Sequence, residues 1–398
     1  MKSRVQSTVS KNKSKTPSNM VAVGNDSDNI DRTPRFGSRS EDAYCPEEIS
    51  GRDLAIVLSR YDLGAVDRIT DYKRGSSRSP KMHITSSMGE FLLKRRALGH
   101  DEQSRVAFAH SVQATLAEHR FPVAGLVTTV EGSTLVQHDG RVYELFRFIT
   151  GKRFDKSKPA ASEAGRVLAH FHGILLNFDE EPVVGSGTFH QSKQIQDVLG
   201  SLSSVLSTHE GKPELDGIEN TIAFIQEKYE TSAKRVQNLE WDSLEPQIVH
   251  GDWHPGNMLY DDSEIIAVID FDSLRVQPRI TDIANGALQF SMRMGTAEDV
   301  DAWGEGFRGH TIQSFVQAYD QFSRVPLFAS ERSMIPDLMV EALIVECVIP
   351  IWKTGTFGQV SGSTFLRLVE KKLKWLEPRM QRVIDVIQPP LSSEDSFA

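Results

Sequence analysis

Strand-like runs of apolar residues dominate the early part of the chain, after a polar start. Residues 1–45 are rich in Ser, Thr, Asn, Lys and Asp and poor in large apolar residues. Because such a segment buries too little surface to offset its conformational entropy, we expect a disordered tail. A helix is predicted from Pro46 to about Tyr61. The predicted strands cover 65–72, 81–86, 90–95, 135–138 and 141–149.

Helical spacing of apolar residues takes over in the rest of the chain. One predicted helix, 103–119, interrupts the strands. The other predicted helices cover 160–177, 192–206, 215–239, 283–294, 300–322, 332–352 and 363–387. The chain turns polar after Pro389, so a flexible tail is expected over 389–398.

The composition is ordinary for a globular protein, with 398 residues of which 39% are hydrophobic and 25% charged. A net charge of −9 disfavours nucleic acid or an anionic membrane as the main partner. Cys45 and Cys347 provide neither a disulfide framework nor a cysteine metal cluster. The sequence shows no membrane-spanning apolar run and no signal-peptide core, so a cytoplasmic location is expected.

The stretch from Ile248 to Asp272 carries three polar groups at fixed offsets between short apolar runs. Two of these runs are predicted strands, joined by the turn formers at 261–263. A hairpin of this kind places Asn257 just before its first strand and Asp270 at the end of its second. Both side chains can then face one point near Asp252.

That arrangement suits phosphoryl transfer from ATP. Asp252 can orient an attacking hydroxyl and accept its proton, while the Asn257 amide and the Asp270 carboxylate hold Mg²⁺ on the phosphates. The catalytic loop of protein kinases spaces its Asp and Asn by the same interval. Here Gly251 stands where that motif has Arg, and Asp-Phe-Asp stands in place of Asp-Phe-Gly.

The two histidines of this stretch, His250 and His254, have a spacing that also suggests metal ligands. Pro255 and Gly256 disfavour a helix there, and no Glu accompanies the pair as in a zinc protease. We therefore interpret both histidines as structural residues that orient the loop by hydrogen bonds.

These residues resemble the catalytic core of the aminoglycoside phosphotransferase and choline kinase family, the small-molecule relatives of protein kinases. The family signature is His-Gly-Asp-x-His-x-x-Asn followed by a strand that ends in Ile-Asp-Phe/Trp-Asp, and every position is matched. The resemblance implies an α+β, two-lobed protein-kinase-like fold. It places an antiparallel-sheet, nucleotide-binding lobe at 46–150 and a larger helical catalytic lobe at 151–388.

The resemblance also implies a reaction, in which the γ-phosphate of ATP moves to a hydroxyl of a small molecule with the help of Mg²⁺. Homoserine-, choline- and aminoglycoside-like acceptors are all compatible with it, and the oligomeric state is left open. The implied roles are catalytic base for Asp252, metal ligand for Asn257 and Asp270, phosphate contact for Lys94 and support at the metal for Asp272.

Lys94 directly follows the apolar run Phe91-Leu92-Leu93 and matches the strand-end lysine of the family, although an ordinary exposed strand end has the same pattern. Kinases pair this lysine with a Glu of the next helix. Here that predicted helix carries His110 at its middle and has Glu102 and Glu118 near its ends. Either one of these glutamates reaches Lys94, or another group replaces the ion pair.

Two further segments resemble nucleotide contacts. The turn Gly75-Ser76-Ser77 can bring backbone N–H groups onto phosphates, although an ordinary hairpin turn has the same composition. The segment from Glu144 to Gly151, which includes Phe146, resembles the hinge whose main chain holds adenine in the family. Any hairpin followed by a helix has a similar pattern.

Asp282 resembles the third Asp of the family, which supports the catalytic loop through hydrogen bonds. Thr281 or Asp282 is also a plausible N-cap of the next helix, which explains the residue equally well. In these kinases the C-terminal helices form the acceptor pocket. Candidate lining residues, which are equally compatible with core or surface positions, are Trp303, Tyr319, Glu341, Glu346 and Trp352.

Two other functions compete with the small-molecule kinase. A protein kinase is disfavoured by the missing Arg and Gly of its motifs and by the lack of an Ala-Pro-Glu element. A nucleotide-binding pseudokinase without turnover is disfavoured by the intact Asp252, Asn257, Asp270 and Lys94. The unidentified partner of Lys94 favours it.

Overall fold

The structure is a computed structural model of the chain, and it describes residues 48–73, 78–293, 295 and 303–388. Several predictions fall outside these residues: the two tails, the turn Gly75-Ser76-Ser77, and the helix ends at Met294 and Val300. Among the described residues, no helix combines the length and the hydropathy that a membrane span requires.

A five-stranded antiparallel sheet forms the first part of the described chain, in the spatial order β1-β2-β3-β5-β4. Its strands are β1 Val66–Asp71, β2 Lys81–Ser86, β3 Gly89–Arg95, β4 Val136–His138 and β5 Arg141–Arg147. The strand predictions are confirmed, with small differences at the ends. Alternating or buried β-branched and aromatic residues are the pattern that a half-buried sheet requires.

The two faces of this sheet have different roles. Ile84, Phe91 and Leu93 are fully buried in a small hydrophobic core with the helix Gly51–Leu58. Cross-strand partners point to the same face of a sheet, and Lys94 is paired with Lys81 on one side and with Glu144 on the other. The sheet therefore presents charged side chains on the face opposite that core.

Helices make up most of the remaining described residues. They are α1 Gly51–Leu58, α2 Gln103–Glu118, α3 Lys158–Leu175, α4 Lys193–His209, α5 Ile218–Asn238, α6 Ile280–Ser291, α7 Gly309–Phe322, α8 Ala329–Thr354, α9 Gly362–Leu376 and α10 Met380–Ile387. The single helix predicted over 363–387 is wrong, because a 3₁₀ turn at Glu377–Arg379 interrupts it. Pro378 lies in that turn, and proline cannot continue the helical hydrogen bonds.

The larger hydrophobic core joins α3 and α7 at very short range. A Cβ atom on Gly165 of α3 would lie 2.0 Å from the carbonyl oxygen of Phe315 on α7. Only glycine permits this approach of two helix backbones. The contact brings His172 of α3 to Tyr319 of α7, with 2.9 Å between Nδ1 and the hydroxyl.

Short paired strands flank the loop that carries the signature. The predicted hairpin is confirmed as β7 Met258–Asp261 and β8 Glu264–Val268. Sequence reasoning missed two antiparallel pairs, which are β6 Pro246–Val249 with β9 Arg275–Pro278, and β10 Thr356–Phe357 with β11 Val360–Ser361. β6 leads into the loop and β9 follows Asp270, so this pair fixes both ends of the site.

Candidate active site

The signature loop, residues 250–257, connects β6 to β7. The Asn257 amide Nδ2 donates hydrogen bonds to the Asp252 carboxylate at 3.0 Å and to its carbonyl oxygen at 3.1 Å. The N–H of Ile269, beside Asp270, donates to the Asn257 carbonyl at 2.9 Å. Asp252, Asn257 and Asp270 therefore converge in the described structure.

Two backbone positions of the site have left-handed conformations. Gly251 has φ +73°, and a Cβ atom there would lie 2.2 Å from the Ser273 carbonyl oxygen. Asp270 has φ 66°, which is uncommon for a residue other than glycine. Such conformations persist only where the surroundings enforce them, and they cluster at functional sites.

The Asp282 carboxylate anchors the loop through its backbone. It accepts hydrogen bonds from the N–H groups of His250 at 2.7 Å and Gly251 at 2.9 Å, and its Oδ2 lies 3.2 Å from Nε2 of His172. Through His172, this contact extends to Tyr319 on α7. Tyr319, His172 and Asp282, which come from three helices, thus form a buried series of contacts that holds the turn before Asp252.

The N-cap predicted at Thr281 or Asp282 is wrong. Helix α6 begins at Ile280, so both residues lie inside its first turn and are buried. Thr281 donates to the Pro278 carbonyl at 2.9 Å, and Asp282 turns toward the loop. The carboxylate satisfies loop N–H groups rather than those of its own helix.

The two loop histidines differ. His254 Nδ1 accepts the N–H of Gly256 at 2.9 Å, which leaves the proton on Nε2, 3.5 Å from the Asp252 carboxylate. For His250 the expected hydrogen bonds are wrong, because neither ring nitrogen has a partner among the described residues. Its buried ring packs instead on Trp253 and Phe271, with centroids 5.3 and 5.1 Å away, and burial lowers its pKa.

Asp252 is buried but still suited to be ionised. Burial alone would raise the pKa of its carboxyl, whereas His254 and the hydrogen bond from Asn257 lower it below the ordinary value. Its Oδ1 atom has no hydrogen-bond partner within the described chain. One carboxylate oxygen is therefore oriented by the loop, and the other is buried without a hydrogen-bond partner.

Lys94 of β3 lies close to three carboxylates. Its Nζ lies 2.9 Å from Asp272, 3.4 Å from Asp270 and 3.4 Å from Glu144. Burial alone would lower the pKa of Lys94, but these three charges raise it, so the side chain stays an ammonium ion.

Glu144 provides a buried acidic partner for Lys94, which the sequence left unidentified. It is fully buried on β5, where Arg96 Nη2 lies 2.9 Å and His110 Nε2 lies 2.8 Å from its Oε2. Arg96 also reaches Asp272, at 2.9 Å through Nη1. Glu102 instead pairs with Arg105 at the start of α2. The ion cluster, defined as Lys94, Arg96, His110, Glu144 and Asp272, thus supplies the missing partner from the sheet.

The hinge expected at Glu144 and Phe146 requires a correction. Both residues lie within β5, where their main chains pair with Lys94 and Leu92 of β3. Those groups are already engaged in the sheet, because a central strand uses its polar atoms for its neighbours. The part of the expected hinge outside helices and strands is 148–151.

Helices α6 and α8 place a buried acid, Glu346, near Asp252. Gln289 Nε2 donates to both oxygens of Glu346, at 2.6 and 2.5 Å. Burial and the nearby Asp252 charge raise the pKa of Glu346 well above its ordinary value. The other candidates point elsewhere: Tyr319 toward His172, Glu341 toward His190 at 3.0 Å, and Trp352 toward Ser201 at 2.9 Å.

The donor set fits Mg²⁺ in the way that phosphate-bound magnesium requires. No cluster of three or more His, Cys, Asp or Glu ligands occurs among the described residues. Magnesium is usually held by one or two carboxylates together with substrate phosphates and water. The Asp270 side chain is 44% exposed, and Asn257 uses its Nδ2 on Asp252, which leaves the amide oxygen for another partner.

Comparison with known proteins identifies relatives by sequence pattern and by fold. A sequence model described as the phosphotransferase enzyme family matches residues 69–325, more than half of the chain. A search of curated proteins finds no match.

Solved structures share the fold at low identity. An aminoglycoside phosphotransferase from Alicyclobacillus acidocaldarius subsp. acidocaldarius DSM 446 has a TM-score of 0.61 at 17% identity, covering 87% of this chain and 99% of its own. A spectinomycin phosphotransferase solved with ADP and spectinomycin has a TM-score of 0.56 at 14% identity, covering 86% and 98%. A microcompartment-associated aminopropanol kinase has a TM-score of 0.56 at 16% identity, covering 82% of this chain and 96% of its own. The predicted two-lobed, kinase-like α+β fold is confirmed.

Proposed function

The chain belongs to the phosphotransferase enzyme family, and from this premise we propose that it transfers the γ-phosphate of ATP to a hydroxyl of a small molecule. The observation that carries the proposal is the position of Asp252. Its carboxylate has one oxygen held by Asn257 and one without a partner in the described chain, in the loop that also bonds to the backbone beside Asp270.

In this proposal, Asp252 orients the acceptor hydroxyl and takes its proton. The hydroxyl oxygen forms a bond to the γ-phosphorus, and the bond from that phosphorus to the β–γ bridging oxygen breaks. The bridging electrons leave with ADP. The proton passes to Asp252 Oδ1, which has no hydrogen-bond partner in the described chain and which the lowered pKa keeps unprotonated beforehand.

Lys94 neutralises the α- and β-phosphates, and Asn257 and Asp270 would hold Mg²⁺, with Asp272 in support. Bound Mg²⁺ supplies a positive charge that offsets the charge of the phosphate oxygens. Lys94 is at present shared among Asp270, Asp272 and Glu144, so the phosphates would replace the two aspartates as its partners. Solved relatives that carry ADP or AMP-PNP support nucleotide use.

His250, His254 and Asp282 support the reaction without touching the substrate. Asp282 fixes the backbone of the turn, His254 faces the Asp252 carboxylate, and the His250 ring fills the aromatic core beneath. The main-chain groups at 148–151, apart from the Phe148 N–H that already donates to Glu90, are our choice for the adenine contact, in place of Glu144 and Phe146.

The acceptor is proposed to be a homoserine-, choline- or aminoglycoside-like molecule. Relatives described as a spectinomycin phosphotransferase, an aminopropanol kinase and a choline kinase support this range. A small-molecule partner in the cytoplasm, without nucleic acid or membrane, stays our proposal.

The lobes are proposed to divide after residue 150. The smaller hydrophobic core supports this boundary, because its buried members run from Ile49 to Leu145. The pseudokinase alternative loses its main argument, since Glu144 provides a carboxylate 3.4 Å from Lys94.

The substitution Asp252→Asn tests the proposal. It keeps the shape and removes the proton acceptor, so phosphate transfer to a panel of amino alcohols and aminoglycosides should fall by about two to four powers of ten. The exposed turn residue Asp262 provides the matched control, Asp262→Asn, which should keep full activity. Unchanged transfer in a folded Asp252→Asn protein would refute the proposed role.

A further inference from the structure

We infer that Lys81 is a second phosphate-binding lysine of the nucleotide site, an inference that rests on the proposed function. Lys81 is the first residue of β2 and lies directly opposite Lys94 on β3. In the sequence, Lys81 follows the segment Gly75-Ser76-Ser77, which is expected from the sequence to contact phosphates. Its expected ligand is the polyphosphate chain of a nucleoside di- or triphosphate.

The sheet register places the two lysines side by side. Directly opposed residues of an antiparallel pair share one face, with Cβ atoms about 4.5–5.5 Å apart. Glu144 follows as the next cross-strand partner of Lys94, so one row of this face reads Lys81, Lys94 and Glu144. Lys81 therefore lies on the same charged face as the ion cluster.

The two lysines differ in their partners. Lys94 lies within 3.4 Å of three carboxylates. Lys81 has no carboxylate within ion-pair distance among the described residues, and its Nζ contacts only the Ser79 carbonyl, at 3.2 Å. Residues 74–77, which precede it in the sequence and lie outside the described residues, include no Asp or Glu.

An unpaired ammonium next to another is costly. Lys81 is half-buried, and burial together with the Lys94 charge lowers its pKa. More distant charges of Asp270, Asp272 and Glu144 offset part of this cost. Lys81 is thus a cation without an ion-pair partner in the described chain, at the start of β2. A polyanionic ligand would supply the missing negative charge.

Lys94 and Lys81 should therefore contribute differently to phosphate transfer and to nucleotide binding. Lys94 is tied to the carboxylates that surround the proposed metal site, so its loss should affect the transfer step. Lys81 has no such tie, so its charge contributes to binding in proportion to the number of phosphates. Its loss should weaken ATP and ADP, and leave AMP and adenosine nearly unchanged.

The experiment measures thermal stabilisation by ATP, ADP, AMP and adenosine, each titrated with Mg²⁺ and without acceptor. The proteins are the wild type, Lys81→Met, Lys81→Arg, and Lys371→Met as a control at an exposed position of α9. We expect Lys81→Met to weaken ATP and ADP by about tenfold or more, because charged hydrogen bonds are lost. Lys81→Arg should retain most of the affinity, and the control should match the wild type.

Folding is monitored in the same scans. Without ligand, Lys81→Met should melt at or above the wild-type temperature, since it removes a cation that faces Lys94. Equal ATP affinity in wild type and Lys81→Met would overturn the inference while leaving the proposed function intact. An equal loss for adenosine and ATP would overturn it too, as it would indicate a structural role. No nucleotide response in the wild type would instead refute the proposed function.

Discussion

The ion cluster and the signature loop are held together in opposite ways. In the ion cluster every charge has an opposite charge nearby, with Arg96 bridging Glu144 and Asp272 at 2.9 Å on each side. The signature loop is held through its backbone and contains buried polar atoms without a hydrogen-bond partner in the described chain, including Asp252 Oδ1 and Trp253 Nε1.

The difference indicates how each side would meet a ligand. In the ion cluster each charge already has an opposite charge nearby. A nucleotide would therefore have to displace Asp270 and Asp272 from Lys94. The signature loop would need no exchange, because Asp252 Oδ1 has no partner in the described chain and the other oxygen of its carboxylate is already oriented by Asn257. On binding a nucleotide, the ion cluster would have to change partners, whereas the signature loop would keep its hydrogen bonds.

Removing the central carboxylate should break the ion cluster. Glu144→Gln leaves Lys94 and Arg96 without their fully buried partner, so we expect a loss of about 3–5 kcal/mol in the free energy of unfolding, by chemical denaturation. The control Glu102→Gln removes a pair whose carboxylate is 59% exposed, and it should cost less than about 1 kcal/mol. A Glu144→Gln loss as small as that of the control would contradict the account.

The sign of the pH effect is also fixed for Glu144. Burial would raise its pKa, but Arg96 and Lys94 hold it well below the ordinary value. Its stabilising contribution is therefore present above the ordinary carboxyl pKa and is lost as the pH falls through the lowered value. The gap between wild type and Glu144→Gln should close only in strong acid.

Removing the anchor should loosen the signature loop. Asp282→Asn places an N–H₂ group against the N–H of His250 or Gly251, which should cost about 1–3 kcal/mol of stability. Phosphate transfer should also fall, in kcat more than in KM for ATP, since the turn before Asp252 shifts. The exposed Asp197→Asn on α4 serves as the control, and equal kcat in both variants would show that the anchor has no catalytic consequence.

The smallest expected effect concerns Glu346. The pKa of Glu346 is raised by burial and by the charge of Asp252, so its ionisation destabilises the fold as the pH rises from its unfolded value through its folded value. Glu346→Gln should therefore melt higher than wild type at about pH 8, and the difference should shrink toward about pH 5. A constant difference across this range would exclude the ionisation of Glu346 as the cause.

Much of the sheet and the loop could be predicted because both depend on local sequence. Strand alternation and the spacing of Asp252, Asn257 and Asp270 are visible in the chain itself. Arg96 could also have been predicted, because it lies two residues after Lys94, just past the end of β3, where the alternation of the strand would give it the same side. Pro378 signalled the helix break in the same way.

The partners across the fold could not be predicted in this way. Lys94 meets Glu144 only through the register of β3 with β5, and His172 meets Asp282 only because α3 and α7 pack tightly. The pairing of Glu144 and Phe146 inside the sheet could not be predicted, because the sequence does not reveal that β5 has neighbours on both sides. These features depend on tertiary contacts rather than on residue spacing.

The most direct test of the account is the melting temperature of the wild type and of Asp270→Asn with ATP and Mg²⁺. Asn tolerates the left-handed backbone of this position, so the variant should fold. At about one hundred times its dissociation constant, bound nucleotide should add roughly 2.7 kcal/mol of stability to the wild type. We predict a Mg²⁺-dependent rise that Asp270→Asn loses. An absent rise, or an equal rise in both proteins, would contradict the assignment of this cleft as the nucleotide and metal site.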